Sequence, residues 1–391
     1  MLPKIPRRFP TVLFALMLAA GASIVLAAPR LPSTAPRVEI RAVPDAGIQP
    51  QAVMDGAGTL HLLYFKGAPE GGDLYYVTQG PGDDGFSSPL RVNSRAGSVL
   101  AKGSVRGGQL ALGAGGLIHV AWYGSQEITS GAAKRRPVWY AGMAADRSHF
   151  KPQVNVALSS TGIDGATVAA DQAGHVWVAW HGQGTDEGEA HRTVYVARSN
   201  DGGAHVAPEQ PASPPSTGAC GCCGLRALTD ASGATHILYR SAVGGTSRNA
   251  TWLTLNQPSR EPVVLQTWAL DACPMSTFAL AQAGAGLAAA WETAQQIYYA
   301  RLEPSTGAFS TPIAMDGPAG RKHPSVATNA SGVTLVAWTE GTGWARGGTL
   351  AWEALDARGT RLASQAGAGP VPVWGLVAAV ARPDGSFLIL R

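Results

Sequence analysis

The chain has 391 residues and a formal net charge of +4, with 45% hydrophobic residues and 14% charged residues. An average soluble domain has about 25% charged residues, and disordered chains rarely hold as many as the 11 Trp residues found here. The 49 Gly and 27 Pro residues lack the period of collagen, so this composition favours an all-β protein rich in tight turns and excludes coiled coils, helical bundles and polytopic membrane proteins.

Residues 1–27 have the pattern of a signal peptide. A basic stretch with Lys4, Arg7 and Arg8 precedes an apolar run that ends at Ala27, where we expect cleavage. An uncleaved anchor is the alternative. Those three basic residues carry most of the net charge, so the mature chain offers no electrostatic basis for binding nucleic acid or an anionic membrane. We therefore expect export to a bacterial periplasm or beyond, with no stable membrane insertion after cleavage.

A unit of about 45–55 residues repeats along the remaining chain. Each unit has a short alternating strand, a small-residue turn and a strongly apolar second strand that usually closes on an aromatic residue. The turn and second strand recur at residues 55–64, 114–122, 171–180, 230–239, 283–291, 329–338 and 383–390. A third strand follows, for example at residues 74–77 and 297–300, and a weaker fourth. Four antiparallel strands at this period predict a β-propeller of four-stranded blades.

The last unit contains only two strands. We expect the stretch at residues 37–40 to add an outer strand to it and to close a ring of six or seven blades. The Pro- and Ser-rich residues 208–217 and the Gly-rich residues 367–372 fall at a fixed place in the repeat, so we interpret them as inter-blade loops. Residues 28–391 are therefore predicted to form a single domain.

The hairpin after the third strand of the third unit carries a recognisable turn. Residues 199–203 read Ser-Asn-Asp-Gly-Gly, which resembles the Asp box, the Ser-x-Asp-x-Gly turn of the sialidase and BNR-repeat superfamily. Weaker versions stand at residues 83–86 and 305–309. The resemblance implies a sialidase-like propeller. Because Ser and Asp side chains in such a turn bind backbone amides, the motif indicates structure and carries no catalytic group.

Active sialidases of that superfamily have an Arg-Ile-Pro motif, an arginine triad and a Tyr nucleophile supported by Glu. No Arg-Ile-Pro stands near the start of the mature chain, and no Tyr–Glu pair is identifiable. Arg106, Arg226, Arg240 and Arg321 lie near predicted inner-strand ends and are the candidates for a triad. The resemblance thus implies an exo-sialidase-type glycoside hydrolase as one possible activity.

All four cysteines of the chain fall into two loops. Cys220, Cys222 and Cys223 precede the first strand of the fourth unit, whereas Cys273, with Met275 beside it, precedes the first strand of the fifth. These loops occupy equivalent positions on neighbouring blades, beside the mouth of the central channel. We therefore expect the two groups to converge although about fifty residues separate them.

Convergence permits three interpretations. In an oxidising compartment Cys273 would form a structural disulfide with one of the other three cysteines, which leaves two thiols without a structural role. Several thiolates with the Met275 thioether would suit Cu(I) first and Zn(II) second, because the spacing departs from ordinary zinc ribbons. A labile, redox-active thiol pair is the third interpretation.

Single polar residues end the predicted second strands and open onto the same face, next to aromatic residues. They are Lys66, Tyr123, His181, Arg240, Glu292 and Glu340. Such a ring is typical of a ligand funnel, although solvation of the rim is the alternative. Lys66, His181, Arg226, Arg240 and Glu292 are the candidate ligand-binding residues. His181 and Glu292 flank the cysteine blades and could support a metal or act in acid–base chemistry.

The sequence therefore predicts an exported, sialidase-like propeller that binds a small molecule, a glycan or a soft metal through a Cys-rich site. One alternative is the sialidase-type hydrolase, and a thiol- or metal-dependent redox enzyme would be another activity. A third alternative is a protein-interaction scaffold stapled by disulfides, whose protein partners the sequence does not identify.

Overall fold

The computed structural model describes Met1 and residues 35–103, 107–130, 133–183, 186–255, 261–303 and 306–391. The expected signal segment, apart from Met1, and Arg106 lie outside these ranges. Within them the chain forms strands joined by turns, and it has no helix of the length and apolarity needed to cross a membrane. The short 3-10 turns are Pro44–Ala46, Ala114–Gly116, Glu189–His191 and Pro215–Thr217.

Seven sheets form the blades of a propeller, which confirms the predicted all-β fold. Strands are numbered in chain order from β1, Val38–Arg41. In the first three blades, four strands pair antiparallel from the inside outwards. Blade 1 has β2 (Ile48–Met54), β3 (Leu60–Ala68), β4 (Gly71–Gln79) and β5 (Leu90–Arg91). Blade 2 has β6 (Gly108–Leu112) and β7 (Ile118–Tyr123), an added hairpin of β8 (Ile128–Ser130) and β9 (Ala133–Arg135), then β10 (Val138–Gly142) and β11 (Val154–Asn155). Blade 3 has β12 (Thr161–Ala170), β13 (Val176–Gln183), β14 (Arg192–Ser199) and β15 (Gln210–Pro211).

The next three blades repeat this plan. Blade 4 has β16 (Arg226–Thr229), β17 (Thr235–Arg240), β18 (Ala250–Thr254) and β19 (Val263–Gln266). Blade 5 has β20 (Phe278–Ala283), β21 (Gly286–Thr293) and β22 (Gln296–Glu303), edged by β23 (Ala308–Phe309) and β24 (Ile313–Ala314). Blade 6 has β25 (Arg321–Thr328), β26 (Thr334–Glu340) and β27 (Gly348–Leu355), edged by β28 (Arg361–Gln365) and β29 (Pro370–Val371).

Blade 7 closes the ring with strands from both ends of the described chain. It consists of β30 (Ala378–Ala381), β31 (Phe387–Leu390) and the early strand β1. Val38 of β1 lies opposite Phe387, and Arg41 lies opposite Leu390. The closing N-terminal strand is therefore present and the blade number is seven. This blade differs from the predicted pattern, since it has three described strands and β1 runs parallel to β31.

The apolar core is divided among the interfaces between blades. Seven clusters of buried hydrophobic side chains occur in the described chain, one between each pair of neighbouring blades. The aromatic residue that closes the second strand anchors several of them, as with Trp122, Trp180, Trp291 and Trp338, all nearly inaccessible to solvent. Full burial of a large side chain stabilises by about 1.5–3 kcal/mol, so face-to-face packing of blades dominates the stability.

A repeated Asp turn connects the first and second strands of several blades. In blade 4, one carboxylate oxygen of Asp230 accepts hydrogen bonds from the Ser232 amide at 2.8 Å and the Ala234 amide at 3.0 Å. Gly233 has φ of 85°, a left-handed conformation that favours glycine. The second oxygen contacts His236 Nε2 at 2.9 Å. Burial opposes ionisation, but the bonds from His236, Ser232 and Ala234 outweigh it and lower the pKa of Asp230.

The recurrent histidines of the second strands belong to the same turns. His61 contacts Asp55 at 3.2 Å and His175 contacts Asp171 at 2.7 Å. In blade 2, where Gly113 stands at the position of the turn Asp, His119 instead contacts the Tyr140 hydroxyl at 2.7 Å. These contacts hold the turn against its own blade, so the histidines have a structural role.

We expect Asp230→Ala to lower the free energy of unfolding by about 1–3 kcal/mol, because it leaves two amides and His236 without their acceptor. Asp230→Asn should cost less, since Asn329 accepts the Ser331 and Val333 amides in the same way in blade 6. The lowered pKa means that the carboxylate stabilises the fold above its unfolded value near 4 and that this contribution is lost as the pH falls.

Urea unfolding of the wild type and both variants between pH 7 and pH 3 checks this prediction. The wild type should lose stability below about pH 4, and Asp230→Asn should lose less over the same interval. Equal losses in the two proteins would contradict the assigned role of the charge.

Candidate functional site

The predicted convergence of the two cysteine loops is confirmed by a disulfide between Cys222 and Cys273. The other two cysteines are free thiols. Cys220 Sγ lies 3.2 Å from Cys223 Sγ and 3.4 Å from Cys222 Sγ. The three sulfurs all lie within 4.8 Å of one another. We call these four cysteines the thiol cluster.

The thiol cluster is layered from the surface inwards. Cys273 is exposed and Cys222 is half-buried, whereas Cys220 and Cys223 have no solvent-accessible surface. The disulfide therefore lies nearer to solvent than the two free thiols. It joins blades 4 and 5 at the face where the first strands begin and the second strands end.

Backbone hydrogen bonds fix the loop that carries the first three cysteines. The Cys223 amide donates to the Cys220 carbonyl at 3.2 Å, and the Cys220 amide donates to the Arg240 carbonyl at 2.9 Å. The next residue, Gly224, donates to the Ser276 carbonyl of blade 5 at 2.8 Å. The loop is thus attached to the end of β17 and to the segment before β20, and both attachments place the free thiols between these two blades.

Blade 3 supplies a third attachment. Glu189 Oε1 accepts the Gly221 amide at 3.0 Å, and its other oxygen pairs with Arg248. A Cβ on Gly221 would lie 1.8 Å from Arg192 Nη1, so a larger residue here would displace the end of the Arg192 side chain. The sequence signal for Glu189 is weak, because it stands among other acidic residues in a variable loop.

Arg240 lies at the base of the cluster and is completely buried. Its guanidinium donates to Ser276 Oγ at 3.1 Å, to the Arg248 carbonyl at 2.8 Å and to the Glu292 carbonyl, and it packs 5.2 Å from the Trp268 ring. These contacts occupy the donors of Arg240, which the sequence predicts to be a ligand-binding residue of the funnel. Its chemical contribution is therefore a fixed positive charge beside the sulfurs.

The electrostatic surroundings differ for the two free thiols. Burial disfavours a thiolate at Cys223, but the hydrogen bond with Cys220, the charge of Arg240 and the hydrogen bonds from Ser276 together lower the pKa of Cys223. The hydrogen bond with Cys223 and burial raise the pKa of Cys220. Ser276 Oγ lies 3.4 Å from Cys223 Sγ as a donor. The pair is therefore arranged to hold one negative charge, located on Cys223.

Glu292 is a buried residue of β21 whose backbone carbonyl accepts a hydrogen bond from Arg240. One of its carboxylate oxygens accepts the Gln295 amide at 2.6 Å. Burial raises the pKa of Glu292, and this effect outweighs the opposing charges of Arg240 and Lys322. Glu292 can therefore carry a proton closer to neutral pH than an exposed Glu.

The remaining candidates occupy other places. His181 is buried at the end of β13, and a Cβ built on Gly165 would lie 3.8 Å from its Nδ1 and 3.1 Å from Leu225. Lys66 is half exposed on blade 1, where it pairs with Asp45 at 3.7 Å.

Two more candidates stand close to the cysteines in sequence. Met275 lies two residues after Cys273, half-buried, with a left-handed φ of 50°. Arg226 follows Cys223 by three residues, but its side chain extends into the central channel, where it donates to Gln51 and Gln109. The structure thus groups the four cysteines with Arg240 and places Arg226 and Lys66 elsewhere.

An aromatic pair that was not predicted from the sequence lies on the same face. Trp344, in the turn after β26, is 61% exposed, and its ring packs edge-to-face against Trp374 at 4.9 Å. Trp374 lies in the segment before β30. The feature of the sequence that indicates the pair is a large aromatic residue, Trp344, within a Gly-rich turn.

No protein-family profile matches the chain, and no curated protein matches it in sequence. Solved structures share the fold. A complex of the GH93 α-L-arabinofuranosidase of Fusarium graminearum with arabinobiose aligns at 10% identity and a TM-score of 0.51, over 84% of this chain and 99% of that one.

Two further structures illustrate the range of these propellers. An α-L-arabinofuranosidase of Fusarium graminearum with an iminosugar inhibitor aligns at 12% identity and a TM-score of 0.50, over 84% of this chain and 99% of that one. The Hadza microbial sialidase Hz136 aligns at 11% identity and a TM-score of 0.49, over 83% and 74%. The two arabinofuranosidase alignments show that the chain shares their propeller fold, and at these identities the likeness extends to the fold alone.

The cysteine pairing predicts the number of thiols. We expect two reactive thiols in the unfolded, non-reduced protein and four after reduction. Cys273→Ser opens a cross-link that spans 51 residues, and the loop-entropy relation gives a loss of about 4 kcal/mol in unfolding free energy. Thiol counting and chemical unfolding measure both quantities. Cys222→Ser should reproduce the loss because it opens the same bond, and four thiols before reduction would contradict the pairing.

Proposed function

We propose that this protein binds a soft metal ion, with Cu(I) the favoured ion, through Cys220 and Cys223. The observation that carries the proposal is the pair of buried free thiols whose sulfurs lie 3.2 Å apart, with a third sulfur 3.4 Å from Cys220. A purely structural cluster has no need for two buried thiols beside a disulfide.

The number of available thiolates favours copper over zinc. With the Cys222–Cys273 bond formed, Cys220 and Cys223 remain as thiolate ligands, and the Met275 thioether lies in the neighbouring loop. Cu(I) is satisfied by two or three soft ligands, whereas a structural Zn(II) site takes four. Zinc would therefore require prior reduction of the disulfide.

The charge of the surroundings supports the same ion. Two thiolates and one Cu(I) carry a net charge of −1, which is costly to bury without a counter-charge. The Arg240 guanidinium supplies that charge, and Ser276 donates to Cys223 Sγ. Hydrogen bonds of this kind orient metal-binding thiolates and tune their basicity.

Export belongs to this proposal as well. A disulfide at the surface persists in an oxidising compartment such as the periplasm, and the basic and apolar stretches of residues 1–27 would direct the chain there. In that compartment the buried position of Cys220 and Cys223 would protect the two thiols from oxidation.

Cu(I) competition with the chromophoric chelator bathocuproine disulfonate, under anaerobic conditions, tests the metal site. We expect one Cu(I) per mature chain and at least about a hundredfold loss of affinity in the double variant Cys220→Ser/Cys223→Ser. The matched control, Cys222→Ser/Cys273→Ser, removes the disulfide and keeps both thiols, so it should still bind one ion. Equal affinity of the wild type and Cys220→Ser/Cys223→Ser would refute the proposal.

A second candidate function is glycan binding with hydrolysis of the exo-sialidase type. Two observations favour it: the exposed Trp344 ring on the same face, and the raised pKa of Glu292. Aromatic faces offer rigid apolar area for packing a sugar ring, and a carboxyl group with a raised pKa suits general-acid catalysis. The neighbouring propellers named above include a sialidase and arabinofuranosidases.

Release of methylumbelliferone from its sialoside and its arabinofuranoside tests the second candidate. If the chain is a hydrolase with Glu292 as general acid, Glu292→Gln should lower kcat by about a hundredfold or more. Glu261→Gln, at an exposed carboxylate on the outer part of blade 4, is the matched control. Activity in Glu292→Gln equal to that of the control would remove the assigned role, and no release by the wild type would remove the candidate.

A further inference from the structure

Among the described residues that line the central channel, one charged group stands in otherwise neutral surroundings. The first strands of all seven blades line a cavity of about 400 Å³. Its described lining consists of apolar residues, mostly Ala, Val and Leu, with some neutral polar residues, and it includes no Asp or Glu. Burial and the charge of Lys322 lower the pKa of His323 to about 3, so this lining histidine is neutral at physiological pH. Arg226 is therefore the single cation of this described lining.

Arg226 extends from the start of β16 across the channel. Its Nη1 donates to Oε1 of Gln51 on blade 1 and to Oε1 of Gln109 on blade 2. In the described part of the chain no acceptor binds Nε or Nη2. The side chain is half-buried, so these donors remain accessible from the cavity. Burial lowers the pKa of Arg226 to about 10, which leaves the guanidinium charged at neutral pH.

A partly buried cation without a counter-ion is destabilising. Two amide oxygens satisfy hydrogen bonds but cannot neutralise the charge, and the guanidinium loses part of its hydration in the channel without compensation. A neutral donor would bridge Gln51 and Gln109 without this penalty. The positive charge of Arg226 therefore indicates a function other than structural cross-linking.

We propose that the channel binds a small organic monocarboxylate through Arg226. The carboxylate would accept from the unused Nε and Nη2 donors, the geometry in which a guanidinium binds both carboxylate oxygens. The apolar body of the ligand would pack against the Ala, Val and Leu side chains of the first strands. The cavity volume falls within the range of small-molecule pockets, toward its lower end.

The charge and the lining determine this choice of ligand. One guanidinium compensates one negative charge, so a monoanion fits better than a polyanion. An apolar lining stabilises an organic body and offers few partners to a fully hydrated inorganic ion. The site is separate from the thiol cluster, since none of the four cysteines lines the cavity.

Isothermal titration with benzoate and benzyl alcohol, a pair of similar shape and different charge, tests the proposal on the mature chain. We expect saturable benzoate binding and at least about tenfold weaker binding of benzyl alcohol, the effect of losing a charge-assisted hydrogen bond. Arg226→Gln should weaken benzoate by a similar factor. Arg358→Gln, at an exposed arginine of blade 6, should bind benzoate as the wild type does.

Three outcomes would overturn the proposal: no benzoate binding by the wild type, equal binding by Arg226→Gln, or equal binding of sulfate and benzoate. The last would identify an inorganic anion site. Phenylglyoxal modification followed by peptide mapping provides a readout that does not depend on the folding of a variant. Benzoate should protect Arg226 from modification and benzyl alcohol should not, and absence of protection would refute the assignment.

Discussion

The structure depends on the requirement that both faces of every blade be covered. A single four-stranded sheet with two apolar faces cannot stay in water alone, and each blade here is covered only by its neighbours. The buried Trp122, Trp180 and Trp291 lie at equivalent positions because each closes a second strand against the preceding blade. A closed ring leaves no blade face uncovered, so the stability of each of the seven interfaces depends on the others.

The same ring geometry creates the chemistry of the channel mouth. Loops before successive first strands fall side by side, and this brings Cys273 to bonding distance of Cys222 across 51 residues. The segment ending at Ser276 then serves two purposes, since it carries one cysteine loop and supplies the hydroxyl beside Cys223. A cysteine cluster assembled in this way requires no helix or rigid hairpin of its own.

Much of the fold follows from the repeat, because a period of two along each strand and a fixed unit length determine strand order and blade faces. The position of the cysteines within the unit was sufficient to predict their convergence. The partner of Cys273 was not predictable, since three cysteines within four residues are equivalent at that resolution. The directions of long side chains were harder to predict than the strands. Arg226 crosses the channel and Arg240 lies under the cysteine loop, and a sequence pattern indicates neither direction.

The pairing of β1 with β31 has a consequence for the order of events in folding. Val38–Arg41 joins Phe387–Leu390, so this contact is separated by nearly the whole described chain. During synthesis the first strand waits while six blades form, and the growing molecule is an open arc with a half-covered sheet at each end. Non-local pairing of this kind slows folding, because the entropy of closing the ring is lost before the last interface compensates it. The interval before closure is therefore the period in which the nascent protein most needs protection from aggregation.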